Sequence, residues 1–361
     1  MLDIEPRHPY LEHIEPYQPP DLDAAAARAG VAVEDLIRLV ANENPYGPSP
    51  SVAQALAQFD EYHLHPDYEP LREAVARYAG VEPDQVVLSN GADEMIDLLI
   101  RLFVEPGEAV VTCPPTFGMY CFCARVNRCR VLAAPRRDDL SLDAEAVEER
   151  VRAGRRPRML FLVSPGNPSG QAVPLEVTER LLDLPIMVVV DEAYIEFGGE
   201  SAVSLLADHE NLVVVHTFSK WAGMAGLRLG YALLAPSLAR HLERVRPPYN
   251  VNAAAMVAAM ATLADLHTVR ANVAKLVEER ERLQRLLERI SWLQPLPSQA
   301  NFVLCRVRDR DAQAVIDHLL DSGILIHGFS DPAMASYVRV SVGRPEQSDA
   351  LLRALEGIGG A

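Results

Sequence analysis

The segment Thr217-Phe218-Ser219-Lys220, followed by Ala225-Gly226-Leu227-Arg228, gathers an amine, two hydroxyls and a guanidinium within twelve residues. Such an amine condenses with an aldehyde, while hydroxyls and a guanidinium hold a phosphate dianion. Gly223 and Gly226 allow close backbone approach to a ligand. Taken alone, a Ser-Lys pair also fits an ordinary surface loop. A second segment, Val188-Val189-Val190-Asp191-Glu192-Ala193-Tyr194, runs an apolar stretch into a carboxylate. A carboxylate in such a place needs a cation beside it. A protonated pyridine nitrogen is one, and a ring kept protonated there acts as an electron sink. Tyr194 is spaced to hydrogen-bond a phenolate oxygen of that ring. A helix N-cap would account for Asp191 as simply.

Two further segments repeat the pattern. In Ser164-Pro165-Gly166-Asn167-Pro168-Ser169-Gly170 the amide of Asn167 stands between rigid turn residues, although a plain turn has the same composition. In Ser89-Asn90-Gly91-Ala92-Asp93-Glu94 the free N–H groups of Ala92 and Asp93 would open a helix and bind phosphate. A capped helix needs no ligand at all. Each segment is ambiguous by itself. Together they supply what one coenzyme, pyridoxal 5'-phosphate, requires: an amine, a partner for the ring nitrogen, partners for the ring oxygen and a phosphate cradle.

The elements that must position these groups are legible around them. Apolar β-rich runs fall at residues 85–88, 109–113, 130–133, 159–163, 186–190, 212–216 and 229–234, with helical patterns at 94–104, 144–153 and 175–182. Short apolar strands separated by helices imply an α/β fold with a mostly parallel, doubly covered sheet. All four segments then lie at strand ends, where open α/β sheets bind ligands. After Asn252 the pattern changes. A long helical stretch at 253–290 leads to strand-like runs at 301–307, 323–327 and 337–342, with helices at 310–320 and 347–358. This reads as a smaller α+β domain. The division expected is an N-terminal arm (1–44) packing on the small domain or on a partner subunit, a large domain (45–252) and a small domain (253–361).

The 361 residues are enough for two such units. A formal charge of −16 repels phosphate backbones and argues against nucleic acid as a partner. Arg150, Arg152, Arg155, Arg156 and Arg158 are a local exception, read as a solvated loop. The polar, proline-rich start lacks the pattern of a signal peptide, and no apolar run is long enough to span a membrane, so a cytoplasmic location is expected. Five cysteines fit a reducing compartment. The spacing of Cys113, Cys121, Cys123 and Cys129 does not match a zinc site, nor does the pair His63 and His65 have a third ligand, so no metal is expected.

These motifs resemble the fold-type I pyridoxal-phosphate-dependent aminotransferases, and within them the histidinol-phosphate aminotransferase family. The resemblance covers nearly the whole chain. It includes Asn42-Glu43-Asn44-Pro45-Tyr46-Gly47-Pro48, Pro115-Thr116-Phe117-Gly118-Met119-Tyr120, Asp191 to Phe197, Pro248-Tyr249-Asn250, Ala300-Asn301-Phe302 and Val338-Arg339-Val340-Ser341-Val342-Gly343. It implies that Lys220 binds the coenzyme as a Schiff base and then moves a proton, that Asp191 pairs with the pyridine nitrogen, and that Asn167 and Tyr194 hold the ring oxygen. Thr217, Ser219, Arg228 and the amides of Ala92 and Asp93 would hold the phosphate, and Phe117 would stack on the ring. Tyr17, Asn44, Asn167, His327 and Arg339 would contact substrate, with Arg339 clamping a carboxylate. A homodimer is implied, in which His65 reaches the neighbouring site. Three positions differ from the usual pattern: His65 and Phe117 each stand where a tyrosine is common, and His327 where an arginine is common. The activity implied is exchange of an amino group between histidinol phosphate and 2-oxoglutarate, giving imidazole-acetol phosphate and glutamate in histidine biosynthesis. A related aminotransferase for aromatic amino acids, or a threonine-phosphate decarboxylase-like enzyme, would share the same coenzyme residues.

Overall fold

The computed structural model describes Ile14 and residues 19–358, apart from 154 and 155. The chain opens with α1 (Leu22–Ala29) and β1 (Ile37–Leu39), followed by α2 (Pro50–Gln58) and α3 (Glu69–Ala79). A regular alternation follows: β2 (Val86–Ser89), α4 (Ala92–Phe103), β3 (Ala109–Thr112), α5 (Met119–Val126), β4 (Arg130–Ala133), α6 (Ala144–Ala153), β5 (Pro157–Val163), α7 (Leu175–Leu182) and β6 (Met187–Asp191). Then come β7 (Leu212–Thr217), β8 (Gly230–Leu234), α8 (Pro236–Val245), α9 (Ala253–Ala264) and α10 (Leu266–Leu287). The last part holds β9 (Leu293–Pro295), β10 (Phe302–Val307), α11 (Ala312–Asp321), β11 (Ile324–Ile326), β12 (Tyr337–Ser341) and α12 (Pro345–Gly357).

Seven strands form one sheet in the order β2-β8-β7-β6-β5-β3-β4. Strands β4, β3, β5, β6 and β7 are mutually parallel, and β8 is antiparallel to both β7 and β2. Strand β2 therefore points the same way as β7, and the chain leaves β2, β3, β5, β6 and β7 along one edge. Every residue of β2, β3, β7 and β8 is buried, as sheets covered on both faces require. The period of two sorts these side chains. Val188, Val190, Leu212 and Val214 join a core with α3, α6, α7 and α9, whereas Val189, Val213 and Val215 join a second core with α4, α5 and α8.

The structure corrects the reading of the helical stretch at 253–290 and of the arginine-rich stretch at 150–158, and it sorts the C-terminal strands. The helical stretch at 253–290 is two helices, because Asp265 leaves helical geometry (φ −118°, ψ 43°) and its carboxylate turns back to the side chains of Thr268 and Ser49. The three strand-like runs do not share a sheet. Strands β10 and β12 pair with one another and β9 joins β10, while β11 pairs in parallel with β1 from near the start of the chain. The arginine-rich stretch is not all loop, since Arg150 and Arg152 close α6 and Arg158 lies in β5, all exposed. Among the described residues no helix is long and apolar enough to cross a membrane.

Candidate active site

The parallel strand exits deliver their side chains to one edge of the sheet. Asp191, the last residue of β6, is buried. Its Oδ2 accepts from the Tyr120 hydroxyl at 2.7 Å and its Oδ1 from the Ala193 N–H at 3.0 Å. Burial still pushes its carboxyl up to about 6, against the pull of those two donors. Tyr194 follows on the same turn. Its buried hydroxyl accepts from the amides of Asn42 (3.1 Å) and Asn167 (3.4 Å). Asn167 completes a chain, since its Oδ1 accepts from Arg339 Nη1 at 2.7 Å, and Arg339 Nη2 donates to the Val40 carbonyl at 2.8 Å. Arg339 arrives from β12, so this one amide ties the seven-stranded sheet to the C-terminal region.

Lys220 stands three residues past β7, and its Nζ donates to the Ala41 carbonyl at 3.0 Å. Burial first, then the nearby Arg339 charge, lowers its amine to about 8, with Glu43 and Asp93 opposing. The neighbouring hydroxyls form their own cluster. Thr217 Oγ1 donates to Ser219 Oγ (3.0 Å) and lies 3.2 Å from the Leu229 carbonyl. Arg228 adopts φ 54°, which turns its guanidinium back over this cluster: Nη1 lies 3.5 Å from Ser219 Oγ, and Nη2 donates to Asp93 Oδ2 at 2.9 Å. Gly91 makes room for that arginine. A Cβ there would stand 2.7 Å from Arg228 Nη2, and φ 85° already selects glycine. Ala92 and Asp93 open α4 directly after it, without a side-chain cap on the helix. The free amides, two hydroxyls and a guanidinium thus converge where a phosphate dianion would be held.

The remaining expected residues are placed less centrally. Phe117 meets the edge of Tyr120 at 5.6 Å between centroids. Asn44 is engaged in shaping a loop, with its amide nitrogen on the Trp221 carbonyl and its oxygen on the Tyr46 N–H. His327 exchanges backbone hydrogen bonds with Arg339, and its ring packs edge-on to Phe329. Burial and Arg339 lower its imidazole to about 4, which makes it neutral near pH 7. His65 is exposed and stacks on Tyr249 at 4.1 Å. Tyr17 lies outside the described residues. The five cysteines are free thiols, four of them buried, and burial pushes Cys113 up to about 12. Among the described residues no three His, Cys, Asp or Glu side chains are grouped to hold a metal ion.

Sequence reasoning gave no role to several residues that build the site. Tyr120 is one; only its spacing from Phe117 hinted at it. Asn42 is another. At φ 53° it reaches Tyr194 while its backbone and side chain bond Ser341, and Asn301 holds its carbonyl. The signal available was the unusual density of asparagine in residues 42–44 beside a Pro-Tyr-Gly-Pro turn.

Residues 34–355 match the family described as aminotransferase class I and II. The chain is 45% identical to a histidinol-phosphate aminotransferase of Roseiflexus castenholzii, over 97% of both proteins. It is 44% identical to the chloroplastic histidinol-phosphate aminotransferase of Nicotiana tabacum, over 96% of this chain and 85% of that protein. Its fold superposes on the histidinol-phosphate aminotransferase of Sinorhizobium meliloti, solved in complex with pyridoxal-5'-phosphate, with a TM-score of 0.87 at 28% identity over 97% of this chain and 98% of the other.

Proposed function

This chain belongs to the class I and II aminotransferases, and from that premise we propose that it exchanges an amino group between histidinol phosphate and 2-oxoglutarate, forming imidazole-acetol phosphate and glutamate, as a step of histidine biosynthesis. The observation that carries the reading is the chain Tyr194–Asn167–Arg339 beside the Lys220 amine, which links a ring-binding end to a guanidinium suited to an anionic substrate. The residues fit pyridoxal 5'-phosphate. Asp191 is a buried carboxylate that burial pushes up to about 6, so a cationic ring nitrogen beside it would be favourable, and Gly91 leaves room for the Arg228 guanidinium at the start of α4.

When bound, the coenzyme supplies an aldehyde carbon for amine capture and a ring that accepts the electrons left by a departing proton. The chain's own residues do the rest. Lys220 would hold the coenzyme, and its Nζ would take and return the proton at the substrate's reacting carbon. Asp191 keeps the pyridine nitrogen protonated. Tyr194 and Asn167 hold the ring oxygen, and Phe117 covers the ring. Ser219, Thr217, Arg228 and the amides of Ala92 and Asp93 hold the phosphate. Arg339 binds the acidic substrate through its planar fork. Asn44, His327 and Tyr17 complete the substrate side in this reading, and His65 serves the site of a partner subunit. The exposed Tyr62, Leu64 and Tyr249 around His65 support a homodimer. The divisions at about residues 45 and 252 and a cytoplasmic location belong to the same proposal.

Transfer from an aromatic amino acid is the second reading. The neutral His327 favours it, because an uncharged imidazole gives a second phosphate less than a guanidinium would. Rates of amino transfer to 2-oxoglutarate from histidinol phosphate and from phenylalanine decide between the two. The proposal expects the higher kcat/KM with histidinol phosphate; a preference for phenylalanine refutes the substrate assignment and leaves the coenzyme chemistry standing.

A further inference from the structure

Arg136 lies outside every motif described above, yet its residue is only 9% exposed. It follows β4 at the sheet edge. Its Nε donates to the Cys113 carbonyl at 3.3 Å and its Nη1 to the Leu140 carbonyl at 3.2 Å, while its backbone N–H donates to the Pro114 carbonyl at 3.0 Å. Its Nη2 stands against the turn after β5, where a Cβ on Gly166 would come within 3.4 Å of it. The adjacent Arg137 takes the carboxylate of Asp143, whereas among the described residues no acidic side chain forms an ion pair with Arg136, and burial lowers its guanidinium. A buried charge that meets carbonyls alone is an expensive choice, and an apolar side chain would fill the same space at less cost. What the guanidinium adds is a rigid planar fork able to address several carbonyls at once.

Besides the Leu140 carbonyl, its guanidinium is bonded to Cys113, just before the loop that carries Phe117, and lies close against Gly166 in the turn that carries Asn167. Pro114 begins the loop that ends in Phe117, and Gly166 begins the turn that holds Asn167. The same contact is reinforced nearby: Gln171 Nε2 donates to the Asp139 carbonyl at 2.8 Å, and the turn closes on itself from Gly166 N–H to the Gln171 carbonyl at 2.8 Å and from Gly170 N–H to the Gly166 carbonyl at 2.7 Å. Gly166 is needed for this approach, because a Cβ would also meet Ser169 Oγ at 2.4 Å.

We propose that Arg136 is a positioning residue for the transamination site: its buried guanidinium locks the Phe117 loop to the Asn167 turn and so fixes the spacing between the residue that covers the coenzyme ring and the residue that holds its oxygen. The inference rests on the coenzyme-binding reading above and adds a residue to it.

The test compares Arg136→Met, which keeps length without charge, Arg136→Lys, which keeps charge without the fork, and Gly166→Ala, which wedges the turn away from the guanidinium. In coenzyme-free protein, the Gly170 amide should exchange with solvent at least about ten-fold faster in each variant than in the parent chain. In the coenzyme-bound protein, the near-visible absorption should shift, and kcat should fall about ten-fold or more at saturating coenzyme with KM changed little, because misplacement of a holding group by about an ångström carries such penalties. Parent-like exchange, spectrum and kcat in Arg136→Lys overturn the proposal, since the fork would then be dispensable. If Arg136→Met fails to fold, Arg136→Lys and Gly166→Ala still decide. The exchange and the spectrum do not depend on which amino donor the enzyme uses, so a wrong substrate assignment leaves this test intact.

Discussion

Asp191 is held against its own burial. Its carboxyl sits at about 6 because desolvation outweighs the donors Tyr120 and Ala193. A folded-state value above the ordinary carboxyl range means that the group favours folding most when protonated. That contribution is complete at acid pH and is lost as pH rises through about 6. A bound pyridinium reverses the balance by pairing with the ionised form. The coenzyme should therefore raise the melting temperature more at about pH 7.5 than at about pH 5, as read by calorimetry. Lys220 works in the opposite sense. Its amine is lowered to about 8, so the fraction able to capture an aldehyde grows as pH rises through that value. Stopped-flow capture of the coenzyme should accelerate across the same window. Tyr120→Phe removes one hydrogen bond to a charged group, typically about 1.5–3 kcal/mol. Coenzyme affinity should then weaken about ten-fold or more in an equilibrium titration, and an unchanged affinity would mean that Ala193 alone orients Asp191.

At the scale of elements, the site depends on strands ending where the sequence changes character. Those ends were legible because the cues are local: β-branched runs, then a carboxylate, a lysine or an Asn-Pro turn. The contacts across the site were not legible. Tyr120 and Asp191 are 71 residues apart, and Asn42 and Tyr194 are 152 apart. No periodicity reports pairs at that separation. The break at Asp265 was hidden for a different reason, since the residues on either side, in α9 and α10, are good helix formers and only a side-chain contact to Ser49 and Thr268 marks the kink. The junction of β2 and α4 gives the sharpest element-scale prediction. Gly91→Ala combines a backbone at φ 85° with a Cβ 2.7 Å from Arg228 Nη2. It should lose about 1 kcal/mol or more of stability from strain alone. Coenzyme release on dialysis should also be faster, because Arg228 must leave the phosphate cradle. Parent-like retention would show that the cradle tolerates a displaced guanidinium.

For the whole molecule, the strands and helices read between residues 85 and 234 fall within two residues of their observed bounds, yet α5 between β3 and β4 was not read, nor was the way the ends of the chain meet. Strand β1 pairs with β11 across almost the full length of the sequence, and Arg28 of α1 reaches Asp317 and Asp321 of α11. The segment after α1 is thereby fastened to the C-terminal region and carries Ala41 and Asn42 over Lys220 and Tyr194. The patch around Tyr62, Leu64, His65 and Tyr249 is exposed on the single chain. Sedimentation should give a mass of two chains, and Tyr249→Asp together with Leu64→Asp should shift it toward one; a monomeric parent protein would remove the proposed role of His65 in a neighbouring site. The central claim is that the chain holds its coenzyme covalently through Lys220. Borohydride reduction of the coenzyme-loaded protein, followed by intact mass and peptide mass spectrometry, tests it directly. The account predicts one added coenzyme mass per chain, located on the peptide that contains Lys220 and missing from Lys220→Ala. An adduct on any other lysine, or undiminished turnover by Lys220→Ala, would contradict it.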